Sequence, residues 1–106
     1  MNKIARFDLS QKLKDRRREI DLIDEKLLSL LNQRLLIATE IGSIKKQMGA
    51  KTYDPKREKE ILERLRLRLR SRKKTLLEEK DLEKIFRTII SVCRETQNVV
   101  NSEVPL

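Results

Sequence analysis

The chain has 106 residues, of which 41% are charged and only 3% are aromatic, and a single domain accounts for this length. So few aromatic residues, with two glycines and two prolines in all, exclude a sheet protein built from short strands and tight turns. Lysine and arginine outnumber aspartate and glutamate by 26 to 17, so the net charge of +9 favours an anionic partner: a nucleic acid, an acidic lipid or a small polyanion.

The first predicted helix begins at about residue 10 and ends at Met48. Asp8 or Ser10 can cap its N-terminus, and apolar residues then recur at steps of three and four, with no proline to interrupt them. A small chain made of long helices cannot wrap a sizeable core around itself. We therefore expect this helix to bury its apolar stripe against another copy or a partner.

Two shorter helices follow the first. Gly49 is a natural helix end, and Asp54 and Pro55 supply an N-cap and a proline at the first helical position. The alternating stretch from Arg64 to Arg70 also fits a strand, but the Glu, Lys and Leu residues around it favour a helix. The sequence therefore predicts one all-α domain over 1–106, with helices at about 10–48, 55–72 and 78–101.

Membrane, disulfide and metal chemistry are not expected. No apolar run approaches the roughly 20 residues that cross a membrane, and the N-terminal MNKIARFDLS has no apolar signal-peptide core. The single Cys93 cannot form an internal disulfide, and a chain without histidine lacks a usual zinc ligand. We expect a cytoplasmic protein with no metal site and no membrane contact.

Three cations interrupt the apolar seam of the first helix. The seam passes through Arg17, Arg34 and Lys45, and a parallel seam of isoleucines and leucines places Arg34 in the middle of a wide apolar face. A buried cation is costly unless it meets a protein carboxylate or an anionic ligand. Asp24 or Glu40 could supply the carboxylate, but the seam carries too few acids for three cations. The pattern indicates an anionic ligand.

Polar residues outside the first helix each have a structural explanation when taken alone. Cys93 packs like a small core residue, and a buried glutamine such as Gln97 is often a structural residue. Asp54, Arg57 and Glu58 lie at the N-cap and first turn of the second helix, where acidic residues favour the helix dipole. The hypothesis of a site depends on their combination.

In combination, three segments resemble the all-helical chorismate mutase family: IDEKLLSLLNQRLLIATEIGSIKK, YDPKREKEILERL and IFRTIISVCRETQ. The resemblance extends from about Leu13 to Gln97. Its ordered features are an arginine before the I-D-E-K segment, an arginine after it, a lysine following Gly42, a D-x-x-R-E turn and a late glutamine. It implies three-helix chains that intertwine as a homodimer with two equivalent sites, chorismate as the small-molecule substrate, and no cofactor.

The resemblance also implies the residues of the substrate site. They are Arg17, Arg34, Lys45, Asp54, Arg57, Glu58, Cys93 and Gln97. Cys93 stands where familiar members often have serine, so a weak thiol donor or plain packing replaces a hydroxyl there. The Arg-rich run 64–74 is unlike those members and receives no role.

The implied reaction rearranges chorismate to prephenate in phenylalanine and tyrosine biosynthesis, in one pericyclic step without covalent catalysis. It needs a flexible dicarboxylate held in a reactive conformer, and stabilisation of the negative charge that grows on the ether oxygen. We expect Arg17 and Arg34 to bind the two carboxylates, in either order. Lys45 and Gln97 are expected to donate hydrogen bonds to the ether oxygen.

The second helix and the partner chain are expected to complete the site. Glu58 would accept a hydrogen bond from the ring hydroxyl, while Arg57 and the cap at Asp54 close the pocket and hold Glu58 in place. Arg17 lies 28 positions before Lys45 on one continuous helix, about 42 Å at 1.5 Å per residue. One small molecule cannot reach both, so Arg17 is expected to come from the other chain.

Three other functions stay open. An isochorismate pyruvate-lyase on the same scaffold handles a related dicarboxylate, although the retained Arg57-Glu58 pair favours the mutase. A basic helical dimer could bind nucleic acid through the run 64–74, but that does not explain why Arg34, Lys45 and Gln97 face inward. A non-catalytic interaction module is the third. We predict the mutase, with no nucleic-acid partner.

Overall fold

The computed structural model describes residues 3–102 of the chain, and their side chains as far as residue 99. Three helices follow one another: α1 (Lys3–Met48), α2 (Pro55–Ser71) and α3 (Glu79–Ser102). No strand occurs within residues 3–102. The predicted all-α class with a long first helix is confirmed.

The start of the first helix differs from the prediction. Helix α1 begins at Lys3, not at about residue 10, and neither Asp8 nor Ser10 caps it. Good helix formers such as Ala5 precede these residues with no glycine or proline, so the helix extends upstream. Within it, the carboxylate of Asp8 lies 3.4 Å from the Lys12 ammonium, the usual i,i+4 pairing.

Local chemistry sets the turn between α1 and α2. Gly49 has a φ of 67°, a left-handed conformation that glycine adopts without a Cβ penalty, and its N–H donates to the Lys46 carbonyl at 3.2 Å. Asp54 then accepts a hydrogen bond from the Arg57 backbone N–H at 3.0 Å, and Pro55 takes the first helical position.

The chain divides into two compact units after Gln33. In the first, residues 3–33 form a single stretch of helix, and every side chain except that of Ala5 is exposed. The second unit, from Arg34 onward, holds a buried core of Ile61, Leu62 and Ile90, with Leu65 and Phe86 packed against it. Within residues 3–102, no helix carries a stretch long and apolar enough to cross a membrane.

Two ion pairs join α2 and α3, which run antiparallel. Arg66 lies 3.1 Å from Glu83, and Arg70, one turn further along α2, pairs with Glu79, one turn earlier on α3. The hydrogen bond from Arg70 lowers the pKa of Glu79, and hydrogen bonds from Arg87 and then Arg66 lower the pKa of Glu83. Two arginines of the Arg-rich run therefore have a structural role.

Candidate active site

A cleft of about 480 Å³ lies within the second unit, lined by residues of α1, the following turn, α2 and α3. Its volume falls in the range of roughly 300–1,000 Å³ that is typical of small-ligand pockets. Apolar walls come from Ile37, Ile41, Ile61 and Ile90. A small molecule can therefore be enclosed between apolar surfaces and meet a few polar groups.

Seven of the eight residues that the sequence predicted for the site line this one cleft: Arg34, Lys45, Asp54, Arg57, Glu58, Cys93 and Gln97. They come from three helices and the N-cap of α2, and they are as far apart as 63 positions in the chain. Arg17 is exposed in the first unit and is not among the lining residues.

Lys45 and Gln97 meet in the cleft. The Lys45 ammonium donates to Oε1 of Gln97 at 2.9 Å and to the backbone carbonyl of Thr52 at 2.8 Å. An ammonium has three hydrogens and an amide has one acceptor and two donors. One ammonium hydrogen and the Gln97 amide NH₂ are thus left to donate to a ligand.

Gly42 permits the close approach that brings Gln97 to Lys45. Gly42 is buried, and a Cβ built on it would lie 3.1 Å from Cα of Gln97 and 3.3 Å from its carbonyl oxygen. These distances are shorter than ordinary van der Waals contact. The glycine therefore sets how near the backbone of α3 lies to α1 beside the lysine.

Arg34 and Cys93 face each other across the same cleft. Nη1 of Arg34 donates to Sγ of Cys93 at 2.8 Å, and Cys93 is only 5% exposed. The thiol takes up one of the five guanidinium N–H donors, so the others can bind a carboxylate. Cys93 accepts here, where the sequence suggested a thiol donor or packing alone.

Glu58 is held by Arg94, and the expectation that Arg57 holds it is wrong. Nη1 of Arg94 donates to both carboxylate oxygens of Glu58, at 3.0 Å and 3.3 Å. The Arg57 guanidinium lies instead 3.9 Å from Glu60. The physical reason is helical geometry: neighbours in sequence point about 100° apart, so Arg57 cannot face the side chain next to it.

Sequence reasoning missed Arg94, Arg64 and Thr52, all of which line the cleft. Arg94 could have been found, because it precedes Gln97 by three positions and thus shares its side of α3. Thr52 contributes its backbone carbonyl, and because every residue has one, the residue type gives no signal. With them, the cleft holds five cations against two carboxylates, a balance that suits a dianionic ligand.

Comparison with known proteins finds several chorismate mutases with similar sequences or structures. A sequence model of the chorismate mutase type II family matches residues 16–98. A bifunctional chorismate mutase/prephenate dehydratase from Aquifex aeolicus is 41% identical over 78% of this chain and 23% of its own length. A chorismate mutase from Methanocaldococcus jannaschii is 43% identical over 53% of this chain and 57% of its own. The chain thus spans only part of these curated relatives.

A solved structure extends the likeness to the fold. The crystal structure of chorismate mutase from Helicobacter pylori in complex with prephenate superposes with a TM-score of 0.78 at 34% identity. The match covers 90% of this chain and 99% of that one. Because the family model matches well over half of the chain, the chain belongs to the chorismate mutase type II family.

Proposed function

We propose that this chain is a chorismate mutase, which rearranges chorismate to prephenate by electrostatic preorganisation and forms no covalent intermediate. The observation that carries the proposal is the Lys45–Gln97 contact of 2.9 Å inside a cation-rich cleft, in a chain of this family. A pericyclic step needs no nucleophile. It needs a site that binds a dicarboxylate and donates hydrogen bonds to one developing charge.

Confinement of the substrate falls to the arginines. The four remaining N–H donors of Arg34 suit bidentate contact with one carboxylate. The apolar walls exclude water, which strengthens such contacts and favours a compact conformer of the flexible substrate. Stabilisation of the ether oxygen falls to the free ammonium hydrogen of Lys45 and the amide of Gln97, because fixed donors gain strength as negative charge grows.

Glu58 is the acceptor for the ring hydroxyl of the substrate. Its side chain is 26% exposed and reaches the cleft from the first turn of α2, where Asp54 caps the helix. An acceptor at this point favours a substrate that carries a hydroxyl there over one that lacks it, because the hydroxyl adds a hydrogen bond to a charged, partly buried group.

A second copy of the chain completes the assembly in this proposal. Residues 3–33 expose a row of large apolar side chains, among them Ile20, Ile23, Leu27 and Leu28 at 52–61% exposure. Full burial of one such side chain contributes about 1.5–3 kcal/mol, so two copies paired along this stretch gain strongly. In such a dimer the partner supplies Arg17 for the second carboxylate. Cytoplasmic location and a single domain over 1–106 stay predictions.

The activity test uses two substrates. Chorismate consumption is followed by ultraviolet absorbance and prephenate is identified in the product, while isochorismate is tested for pyruvate release. Prephenate from chorismate supports the proposal. Pyruvate from isochorismate without prephenate assigns the lyase reaction, and no reaction with either substrate contradicts both.

The shared-site test uses two variants that are each expected to be inactive, Arg17→Ala and Arg34→Ala. An equal mixture is unfolded and refolded, so that about half of the dimers are mixed and each mixed dimer has one intact site of two. About a quarter of wild-type activity should return. If the subunits demonstrably exchange and no activity returns, Arg17 does not act across the interface.

A further inference from the structure

Arg94 links two side chains that lie outside its own helix. Its Nη1 donates to both carboxylate oxygens of Glu58, and its guanidinium carbon lies 4.8 Å from the centre of the Tyr53 ring, a cation–π distance. The Arg94 and Glu58 side chains are 31% and 26% exposed, so their charges are partly shielded from water. Arg94 was not among the residues predicted for the site.

We propose that Arg94 is a positioning residue for Glu58: it aims that carboxylate into the cleft and neutralises its charge, so that Glu58 can accept from a hydroxyl of a dianionic substrate. The proposal rests on the proposed mutase function. Arg94 acts through Glu58 and not by its own contact with the substrate.

Donor and acceptor counts support this role. A carboxylate offers about four lone-pair sites, and Arg94 uses one on each oxygen, so sites are left for a hydroxyl donor. Arg94 itself is fixed from the other side by the Tyr53 ring. Glu58 is thereby held between α2 and α3 before any ligand arrives, which is the preorganisation that a polar contact in an active site requires.

Charge balance supports the same role. Glu58 and Asp54 are the two carboxylates that line the cleft. Without Arg94, the Glu58 carboxylate would lose its ion-pair partner at the place where a substrate with two negative charges must bind. Its repulsion would raise KM, and its loss of orientation would lower kcat.

A double-mutant cycle tests the proposal, with Arg94→Leu, Glu58→Gln, the double variant and wild type assayed for prephenate formation. We expect each single variant to lose roughly 10- to 100-fold in kcat/KM, the range for a hydrogen bond to a charged group. The double variant should be no worse than the worse single variant, and its KM should be lower than that of Arg94→Leu, because the repelling charge is gone. Arg94→Lys keeps the positive charge but not the planar guanidinium group, so its kcat/KM should lie between those of wild type and Arg94→Leu.

Arg87→Leu is the matched control, since it makes the same change on α3 at a residue paired with Glu83 and absent from the cleft. It should keep wild-type kinetics. If the losses of the two single variants multiply in the double variant, Arg94 acts independently of Glu58 and the positioning role is overturned. If Arg94→Leu fails to fold by circular dichroism, Arg94→Gln enters the cycle under the same criterion. A folded wild type that forms no prephenate refutes the function itself, and the positioning role with it.

Discussion

Gly42→Ala is expected to slow the reaction although it adds only a single methyl group and changes no charge. The new Cβ would lie 3.1 Å from Cα of Gln97, and ordinary contact begins at 3.4 Å, so the backbone of α3 must retreat by about 0.3 Å. The Gln97 side chain moves with it. Its amide, now 2.9 Å from the Lys45 ammonium, shifts relative to the position that the ether oxygen takes.

The expected size of the effect follows from geometry. A misplacement of 1 Å costs about 100-fold in rate, so a shift of about 0.3 Å costs roughly 4-fold if the logarithm scales with distance. Stability responds to two opposed terms: overpacking costs about 1–3 kcal/mol, and alanine in place of glycine within a helix contributes about 1 kcal/mol. The free energy of unfolding should therefore change little or fall by up to about 2 kcal/mol.

Steady-state kinetics and thermal unfolding of the same preparation check both quantities. Ser43→Ala is the control, because it places alanine at the next position of α1 without adding atoms, and it should keep wild-type kcat. A Gly42→Ala protein with wild-type kcat would refute the reasoning, since it would mean that the distance between α1 and α3 at Gln97 does not govern catalysis.

Three further changes test the site and the fold. Lys45→Ala should lower kcat by orders of magnitude while circular dichroism stays unchanged, and near-normal turnover would remove the ether contact from this residue. Gln97→Glu should make activity rise as the pH falls, because only the neutral acid can donate; a flat profile of kcat against pH would contradict that role. Hydrogen bonds from Arg87 and Arg66 lower the pKa of Glu83 from its ordinary value of 4.5, so this pairing stabilises the fold above pH 4.5 and its contribution is lost as the pH falls through the lower, folded-state pKa. Thermal melting of Glu83→Gln should thus depend less on acid than melting of wild type, and identical acid profiles would contradict the coupling.

Features governed by local chemistry could be predicted from the sequence. The glycine after Met48 and the Asp54-Pro55 cap act on backbone within a few residues of themselves, and the predicted helix ends there fall within a residue or two of those in the structure. Arg34 and Lys45 could be assigned to an interior face because helical periodicity fixes the side of the helix on which a residue lies. The roles given to them stay predictions.

Contacts between residues far apart in the sequence could not be predicted, even where the side of the helix on which a residue lies could be. Arg94 contacts Glu58 although the two are 36 positions apart. Arg66 of α2 contacts Glu83 of α3, and no local sequence pattern predicts how these two helices are aligned. The start of α1 was also misplaced, because Asp8 has two uses in a helix, as a cap or as an i,i+4 partner, and upstream helix formers decided between them.

The Cys93 thiol, which contacts Arg34, allows the opening of the cleft to be measured by chemical labelling. Cys93 is the chain's single cysteine, lines the cleft and is only 5% exposed, so an alkylating reagent reacts with it slowly unless the side chains around the cleft move apart. When reclosing outruns the chemistry, the labelling rate equals that of a free thiol multiplied by the equilibrium constant for opening. A time course of labelling followed by mass spectrometry therefore measures how often the cleft opens in the wild-type chain. A lower labelling rate in the presence of an added compound indicates that the compound occupies the cleft.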